Sequence, residues 1–281
     1  MPDFTTRRSA FRKLHQNGCF VMPNPWDIGS AIYLRKLGFK ALATTSAGYG
    51  FAHGLPDSPA ALTRDGVLRH IAEIVAAAGD LPVNADFQSG YASTPAGVAE
   101  SVRLCISTGV SGLSIEDSTG DNRRPLYELP EALDRLRAAR EAIDASNSGV
   151  LLTARAECFL VGHHDALAES IRRLQAYAAA GAECLFAPGV RERDQIRAII
   201  SAVAPKPVNV LVGADIGLRV ADLAALGVRR ISVGSALARA AWTGFIRAAK
   251  ELADTGSFAG LNGATPFADL NALFEGDTTR S

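Results

Sequence analysis

Several features that would point to particular classes of function are scarce or missing in this chain of 281 residues. No apolar run approaches the roughly 20 residues needed to cross a bilayer. The opening stretch, Met1-Pro2-Asp3-Phe4-Thr5-Thr6-Arg7-Arg8, lacks the apolar segment of a signal peptide. Neither charge is in excess: Lys+Arg and Asp+Glu both number 29, so no global field favours nucleic acid or an anionic membrane. The four cysteines, Cys19, Cys105, Cys158 and Cys184, are scattered without paired spacing, and there are only 5 histidines. That argues against a disulfide framework and against a zinc centre. The expectation is a soluble, cytoplasmic protein with no nucleic-acid or membrane partner.

A hydrophobic content of 48% supports a large core, and one local pattern recurs through it: amphipathic helix, glycine, short apolar strand. It appears as Leu37-Gly38-Phe39-Lys40-Ala41-Leu42, as Thr108-Gly109-Val110 leading to Leu113-Ser114-Ile115, as Ala180-Gly181-Ala182, and as Leu226-Gly227-Val228. The glycine suits the left-handed C-cap that ends a helix before the chain turns into a sheet. Short, nearly continuous apolar runs are expected of parallel strands buried on both faces. Runs at 19–22, 82–86, 150–154 and 208–212 bring the candidate strands to eight. Helical stretches are expected at 27–37, 63–78, 94–108, 129–146, 166–180, 192–203, 220–226 and 235–253. Such alternation predicts one (β/α)8 TIM-type barrel over residues 1–253. Residues 254–281 form a tail, with a short amphipathic helix at 266–274, that packs on the barrel or on a neighbouring subunit.

The few functional side chains fall where these strands end. Ser46 closes Ala41-Leu42-Ala43-Thr44-Thr45, Asp86 closes Pro82-Val83-Asn84-Ala85, Glu116 closes Gly112-Leu113-Ser114-Ile115, and Arg155 closes Val150-Leu151-Leu152-Thr153-Ala154. In a parallel barrel these ends share one rim, which carries the active site. Two acids on adjacent strands at one rim repel unless a cation lies between them. The loop Phe51-Ala52-His53-Gly54-Leu55-Pro56-Asp57-Ser58 can bring Asp57 to the same place. Three carboxylates with few competing histidines suit Mg²⁺ or Mn²⁺. Thr45-Ser46-Ala47-Gly48-Tyr49-Gly50 is small-residue backbone whose N–H groups could face an oxyanion, or simply a flexible turn. Arg155 offers a fork for a second oxyanion, or a salt bridge to Glu157 or Glu116. Trp26 either walls the substrate pocket or packs in the core. His163 and His164 read as solvent-facing, and Cys158 as a buried inert thiol.

Together, Pro25-Trp26-Asp27, Thr45-Ser46-Ala47-Gly48, Gly54-Leu55-Pro56-Asp57, Asp86-Phe87-Gln88-Ser89-Gly90-Tyr91, Ile115-Glu116-Asp117-Ser118, Ala154-Arg155 and Gly227-Val228-Arg229-Arg230-Ile231-Ser232-Val233-Gly234 resemble the isocitrate lyase/phosphoenolpyruvate mutase superfamily. The resemblance implies a barrel whose last helix is exchanged between subunits of a homodimer or homotetramer. It implies Mg²⁺ held by Asp86, with Asp57, Gln88 and Glu116 acting through its waters. It further implies that Ser46, the amides of Ala47 and Gly48, and Arg155 grip a 2-oxo acid that reacts through an enolate.

Two departures narrow this. The superfamily's isocitrate-splitting lyases carry Lys-Lys-Cys-Gly-His after the strand ending at Glu116. Here the stretch reads Ser118-Thr119-Gly120-Asp121-Asn122-Arg123-Arg124-Pro125-Leu126-Tyr127, with neither that motif nor the Lys-Thr-Asn-Ser gate of a phosphonomutase. Gln88 also stands where an acid is usual. The resulting expectation is a Mg²⁺-dependent enzyme that breaks a C–C bond in a small 2-oxo or 2-hydroxy carboxylic acid, as a lyase or an oxaloacetate-type decarboxylase. Residues 121–127 would close over the site, with Asn122 a candidate catalytic group beside Asp57, Glu116 and Arg155. The alternatives are a phosphonomutase or phosphonopyruvate hydrolase, and a binding protein that keeps the site but has lost turnover.

Overall fold

The computed structural model describes residues 4–275, so residues 1–3 and the end of the tail, 276–281, lie outside the described residues. Eight strands form one parallel sheet: β1 (Phe20–Met22), β2 (Leu42–Ala43), β3 (Val83–Asp86), β4 (Gly112–Glu116), β5 (Leu151–Arg155), β6 (Cys184–Phe186), β7 (Val208–Leu211) and β8 (Arg230–Ser232). Their order, β1-β8-β7-β6-β5-β4-β3-β2, runs once around a barrel. The seam between β1 and β2 is stitched by the Ala43 N–H, which donates to the Pro23 carbonyl at 3.0 Å. The buried Asn24 clasps the same seam: its Nδ2 donates to the Thr44 carbonyl at 2.8 Å, and its Oδ1 accepts from the amides of Val233 and Gly234. The eight expected strands and the (β/α)8 fold are present.

The helices are α1 (Thr5–Leu14), α2 (Ile28–Lys36), α3 (Ser46–Ala52), α4 (Arg64–Ala77), α5 (Pro95–Ser107), α6 (Leu129–Ala145), α7 (Ala166–Ala179), α8 (Arg193–Val203), α9 (Val220–Ala225), α10 (Ala236–Thr255) and α11 (Phe267–Phe274). Asp27, Thr63 and Thr94 cap their helices through side-chain bonds to backbone amides, which explains the abrupt starts of α2, α4 and α5. The four repeat glycines take the left-handed conformation expected of them, with φ of 82°, 92°, 99° and 95° at Gly38, Gly109, Gly181 and Gly227. No helix among the described residues is long and apolar enough to cross a membrane.

Two elements depart from the sequence expectation. The second strand stops at Ala43 because the Thr45 hydroxyl accepts the Gly48 N–H at 3.2 Å and starts α3. Residues 46–50 are therefore helical rather than an open loop. The other addition is α1, which closes the N-terminal end of the barrel. Arg8 fixes it by donating to the carbonyls of Val110 and Ile106 at 3.0 and 3.1 Å. Phe11, fully buried, enters the barrel beneath Gly112, where any Cβ would lie 2.6 Å from its ring. With Phe20, Met22, Ala41, Ala43, Leu151 and Cys184 it makes a small apolar floor, separate from the main core between strands and helices.

His15, one turn beyond Phe11, is part of this closure. Its Nδ1 lies 2.8 Å from the Phe11 carbonyl and its Nε2 lies 3.3 Å from Arg230, so the neutral tautomer with the proton on Nδ1 satisfies both. Burial, and then the charge of Arg230, lower its pKa to about 3. The unfolded chain, with an ordinary imidazole near pH 6.5, takes up a proton that the folded chain refuses until about pH 3. The contribution of His15 is therefore fully present above pH 6.5 and is lost as pH falls through that window. Denaturation series from pH 6 to pH 4 should show wild type losing its advantage over His15→Gln by about 1.4 kcal/mol per pH unit. Parallel curves for the two proteins would mean that His15 is charged in the folded state.

Candidate active site

At the C-terminal rim of the barrel a cavity of about 440 Å³ is bordered by Ser46, Ala47, Asp57, Asp86, Gln88, Glu116, Asn122, Arg155 and Glu157 among others. Arg155, at the end of β5, stands at the centre. Its NH1 lies 2.6 Å from Asp86, its NH2 3.1 Å from Glu116, and its Nε 2.8 Å from Glu157. The cation required between the acids of β3 and β4 is thus, in this structure, a guanidinium. Of the two readings of Arg155, an open fork or a salt bridge to Glu157 or Glu116, the structure shows the salt bridges: each of its nitrogens meets a protein carboxylate. Burial works against its charge, but Glu116, Glu157 and Asp86 outweigh burial and raise its pKa.

The other groups are placed around this hub. Asp86 Oδ2 accepts both the amide and the hydroxyl of Ser46, at 3.0 and 3.1 Å. Asp57 arrives on the loop after α3 and accepts from Gln88 Nε2 at 3.0 Å. Burial, and then the charge of Asp86, push the Asp57 carboxyl above its ordinary range. Burial raises Glu116 further, against the pull of Arg155. Gln88 has a φ of 41°, in the left-handed region, and its carbonyl accepts the Glu116 N–H at 2.9 Å. The strained backbone of Gln88 therefore ties the end of β4 to the loop after β3.

Two expected lining residues are not at the cavity. Trp26 instead borders a shallow apolar depression with Ala52, Ala241, Trp242 and Phe245. Gly48 is buried with its amide turned to Thr45, and a Cβ there would lie 2.6 Å from Thr45 Cγ2 and 2.8 Å from Trp26 Cβ. Its smallness serves close packing. Ala47 does border the cavity, at the second helical position, where an N–H has no intrahelical acceptor. Asn122 also borders it, on a loop tied back by an antiparallel bridge from Ser118 to Leu126. That loop meets the one carrying Asp57: a Cβ on Gly120 would lie 2.8 Å from Pro59. His163 and His164 stack on each other away from the cavity, with ring centroids 4.5 Å apart, and Cys158 is buried with its thiol pKa pushed up to about 11.

Sequence reasoning treated Glu157 only as a salt-bridge neighbour of Arg155, yet it is the third carboxylate on that guanidinium. It is held by a layer behind the site. Asp117 Oδ1 accepts the Glu157 N–H at 2.8 Å, while its Oδ2 accepts from Tyr177 at 2.6 Å and from Arg173 at 3.0 Å. The available signal was the acidic pair Glu116-Asp117, whose second member faces away from the rim, into the protein.

The donor set can be tested against a divalent cation. Among the described residues no three His, Cys, Asp or Glu side chains converge on one point as a cage. Mg²⁺ does not require one, since it keeps several waters and takes one or two carboxylates. Asp57, Asp86, Glu116 and Glu157 crowd around one guanidinium, so the site is short of positive charge. Gln88 Oε1 is buried without a hydrogen-bond partner, an oxygen available to a metal-bound water. Oxygen donors and missing positive charge fit a hard cation.

The phosphoenolpyruvate phosphomutase family model matches residues 11–253. The chain belongs to this family, and with it to the isocitrate lyase/phosphoenolpyruvate mutase superfamily. A candidate lyase/mutase of Burkholderia cenocepacia is 46% identical, with a TM-score of 0.92 over 98% of both chains. The oxaloacetate decarboxylase of Paraburkholderia xenovorans is 30% identical over 83% of this chain and 76% of its own length. A structure of oxaloacetate acetylhydrolase with its product oxalate is 27% identical, with a TM-score of 0.84 over 96% of this chain and 94% of that one. Relatives with a named activity include lyases, a decarboxylase, an acetylhydrolase and a mutase, which supports placing this chain among enzymes.

The layer behind Glu157 gives a test of the site's support. Asp117→Ala leaves the buried Arg173 with Glu169 as its remaining carboxylate but takes the acceptor from the Glu157 amide and the Tyr177 hydroxyl, and should cost about 1–3 kcal/mol in chemical denaturation. A loss within about 0.5 kcal/mol, the level of an ordinary surface substitution, would show that water replaces the carboxylate there.

Proposed function

We propose that this chain is a Mg²⁺-dependent enzyme that cleaves a C–C bond in a small 2-oxo or 2-hydroxy carboxylic acid, as a lyase or an oxaloacetate-type decarboxylase. The observation that carries the reading is the cluster of Asp86, Glu116, Glu157 and Asp57 around Arg155 at the rim of the barrel. Its support among relatives is the recurrence of oxaloacetate in the names of the decarboxylase and the acetylhydrolase.

Asp86 would hold the metal, with Asp57, Glu116 and Gln88 ordering its waters. When bound, Mg²⁺ supplies the positive charge that favours an enolate over its keto acid. The remaining work falls to the protein. Ser46 and Ala47 border the cavity, where the Ser46 hydroxyl and the Ala47 N–H would meet a substrate carboxylate. Arg155 fixes the spacing of Asp86 and Glu116 and keeps both available as acceptors. Asp57 and Glu116, whose carboxyls burial pushes above their ordinary range, are the groups that would hand a proton to a carbanion. The loops that meet at Pro59 and Gly120 would exclude water while the enolate exists.

The test is turnover of oxaloacetate, alkylated malates and phosphonopyruvate with Mg²⁺, with Asp86→Ala as control. Pyruvate or another 2-oxo acid should be released from a carbon substrate, and the variant should lose at least about 10²-fold, the scale of removing one preorganised charge. Turnover of phosphonopyruvate alone would replace this reading with P–C chemistry. Silence on all three, with oxalate and Mg²⁺ still raising the melting temperature, would leave a binding protein.

We further propose that the active form is a homodimer or homotetramer assembled through α10. Of the 20 residues of this helix only Ala238 is buried, while Leu237, Trp242, Phe245, Ile246 and Leu252 are exposed. Phe258 and Phe267 of the tail are exposed as well. A surface of that kind is covered in soluble proteins, and here a second copy of the chain is the proposed cover. Sedimentation should show an oligomer in wild type and a monomer after Trp242→Glu with Phe245→Glu. A monomeric wild type would overturn it.

A further inference from the structure

TIM-barrel interiors are ordinarily filled by branched apolar side chains. Below the rim, this one is polar. Two residues before the rim groups Asp86, Glu116 and Arg155 stand Asn84, Ser114 and Thr153, and β7 and β8 add Asn209 and Arg230, all buried. The cavity that opens at the rim reaches Asn84, Ser114, Asn209 and Arg230.

Arg230 is the exceptional member. It is 1% exposed, and each of its contacts is neutral: Asn209 Oδ1 at 2.9 Å, Thr153 Oγ1 at 3.1 Å and His15 Nε2 at 3.3 Å. Among the described residues no carboxylate pairs with it. These partners engage three of the five N–H donors of a guanidinium. Leaving a guanidinium uncompensated at such depth is costly, and a purely structural role could be filled by a neutral side chain at lower cost. The other cation of the cavity, Arg155, is already surrounded by Asp86, Glu116 and Glu157. Asn84 Oδ1, which borders the same cavity from β3, is a further buried atom without a partner.

We infer that Arg230 forms an anion subsite at the bottom of the cavity and receives the distal carboxylate of a dicarboxylic substrate whose other end is held at the rim. Since Arg230 touches Thr153, two residues below Arg155, the two ends are separated by one strand repeat, about 7 Å. This inference rests on the reading of the rim as a site for carboxylic acids and assigns to Arg230 the second carboxylate of those that are dicarboxylic.

The experiment is calorimetric titration in the presence of Mg²⁺, with oxalate reporting on the rim. Succinate and glutarate should bind wild type at least about tenfold more tightly than butyrate and valerate, the scale of one charge-assisted contact, and should compete with oxalate. Arg230→Gln should abolish that preference and leave oxalate binding unchanged. Equal affinities for mono- and dicarboxylates in wild type that binds oxalate would overturn the subsite. Dicarboxylate binding that does not compete with oxalate would also overturn the bridging role. If oxalate itself fails to bind, the rim reading is what has failed, and bromide-soaked wild-type crystals then decide the subsite: anomalous density beside Arg230 supports it, and its absence overturns it. The same soak and the wild-type titrations decide the matter if Arg230→Gln does not fold.

Discussion

The structure turns on one guanidinium held by three carboxylates from three places in the chain. Asp86 ends β3, Glu116 ends β4, and Glu157 follows β5 in a short 3₁₀ turn. Each would repel the others if Arg155 were absent, and Arg155 could not be buried without them. The rim is therefore a mutual solution to an electrostatic problem. Because Asp117 anchors Glu157 from behind and Ser46 anchors Asp86 from the side, the cluster is braced on two flanks. Its surplus of negative charge is what a divalent cation would offset.

Much of this was legible in the amino-acid sequence, for identifiable reasons. A strand that must be buried on its outer face cannot easily hide a carboxylate, so Asp86, Glu116 and Arg155 at the ends of apolar runs stood out. The repeat glycines marked the helix ends because a left-handed cap tolerates few other residues. What escaped notice was the alternation inside those same strands. In Val83-Asn84-Ala85-Asp86 the apolar members face the helices and the polar members border the barrel interior. Side chains of a strand alternate in this way, and Ser114 and Thr153 repeat the pattern two residues before Glu116 and Arg155. Reading these runs as uniformly apolar hid the polar interior, and with it the position of Arg230.

The misplaced residues have a common cause. Gly48 and Trp26 lie close to the rim in sequence, but the Thr45 cap turns residues 46–52 into a helix. That rotation leaves Ala47 on the cavity and sends Gly48 against Trp26 and Thr45. Proximity along the chain identified the right segment; the phase of the helix decided which of its residues reach the cavity. For α1 the difficulty was different, since its packing depends on a partner, the open end of the barrel, that exists only after folding.

The sealing of that end by Phe11 has a consequence for traffic through the molecule. A barrel stoppered at its base is a blind vessel: whatever enters past the loops at Pro59 and Gly120 must leave by the same mouth. Under the proposed cleavage, two products could not depart in opposite directions, and the fragment seated deeper would wait for the one above it. For that reaction the order of departure would follow from the architecture, and a pair of loops remote from the reacting bond would set the pace of the cycle.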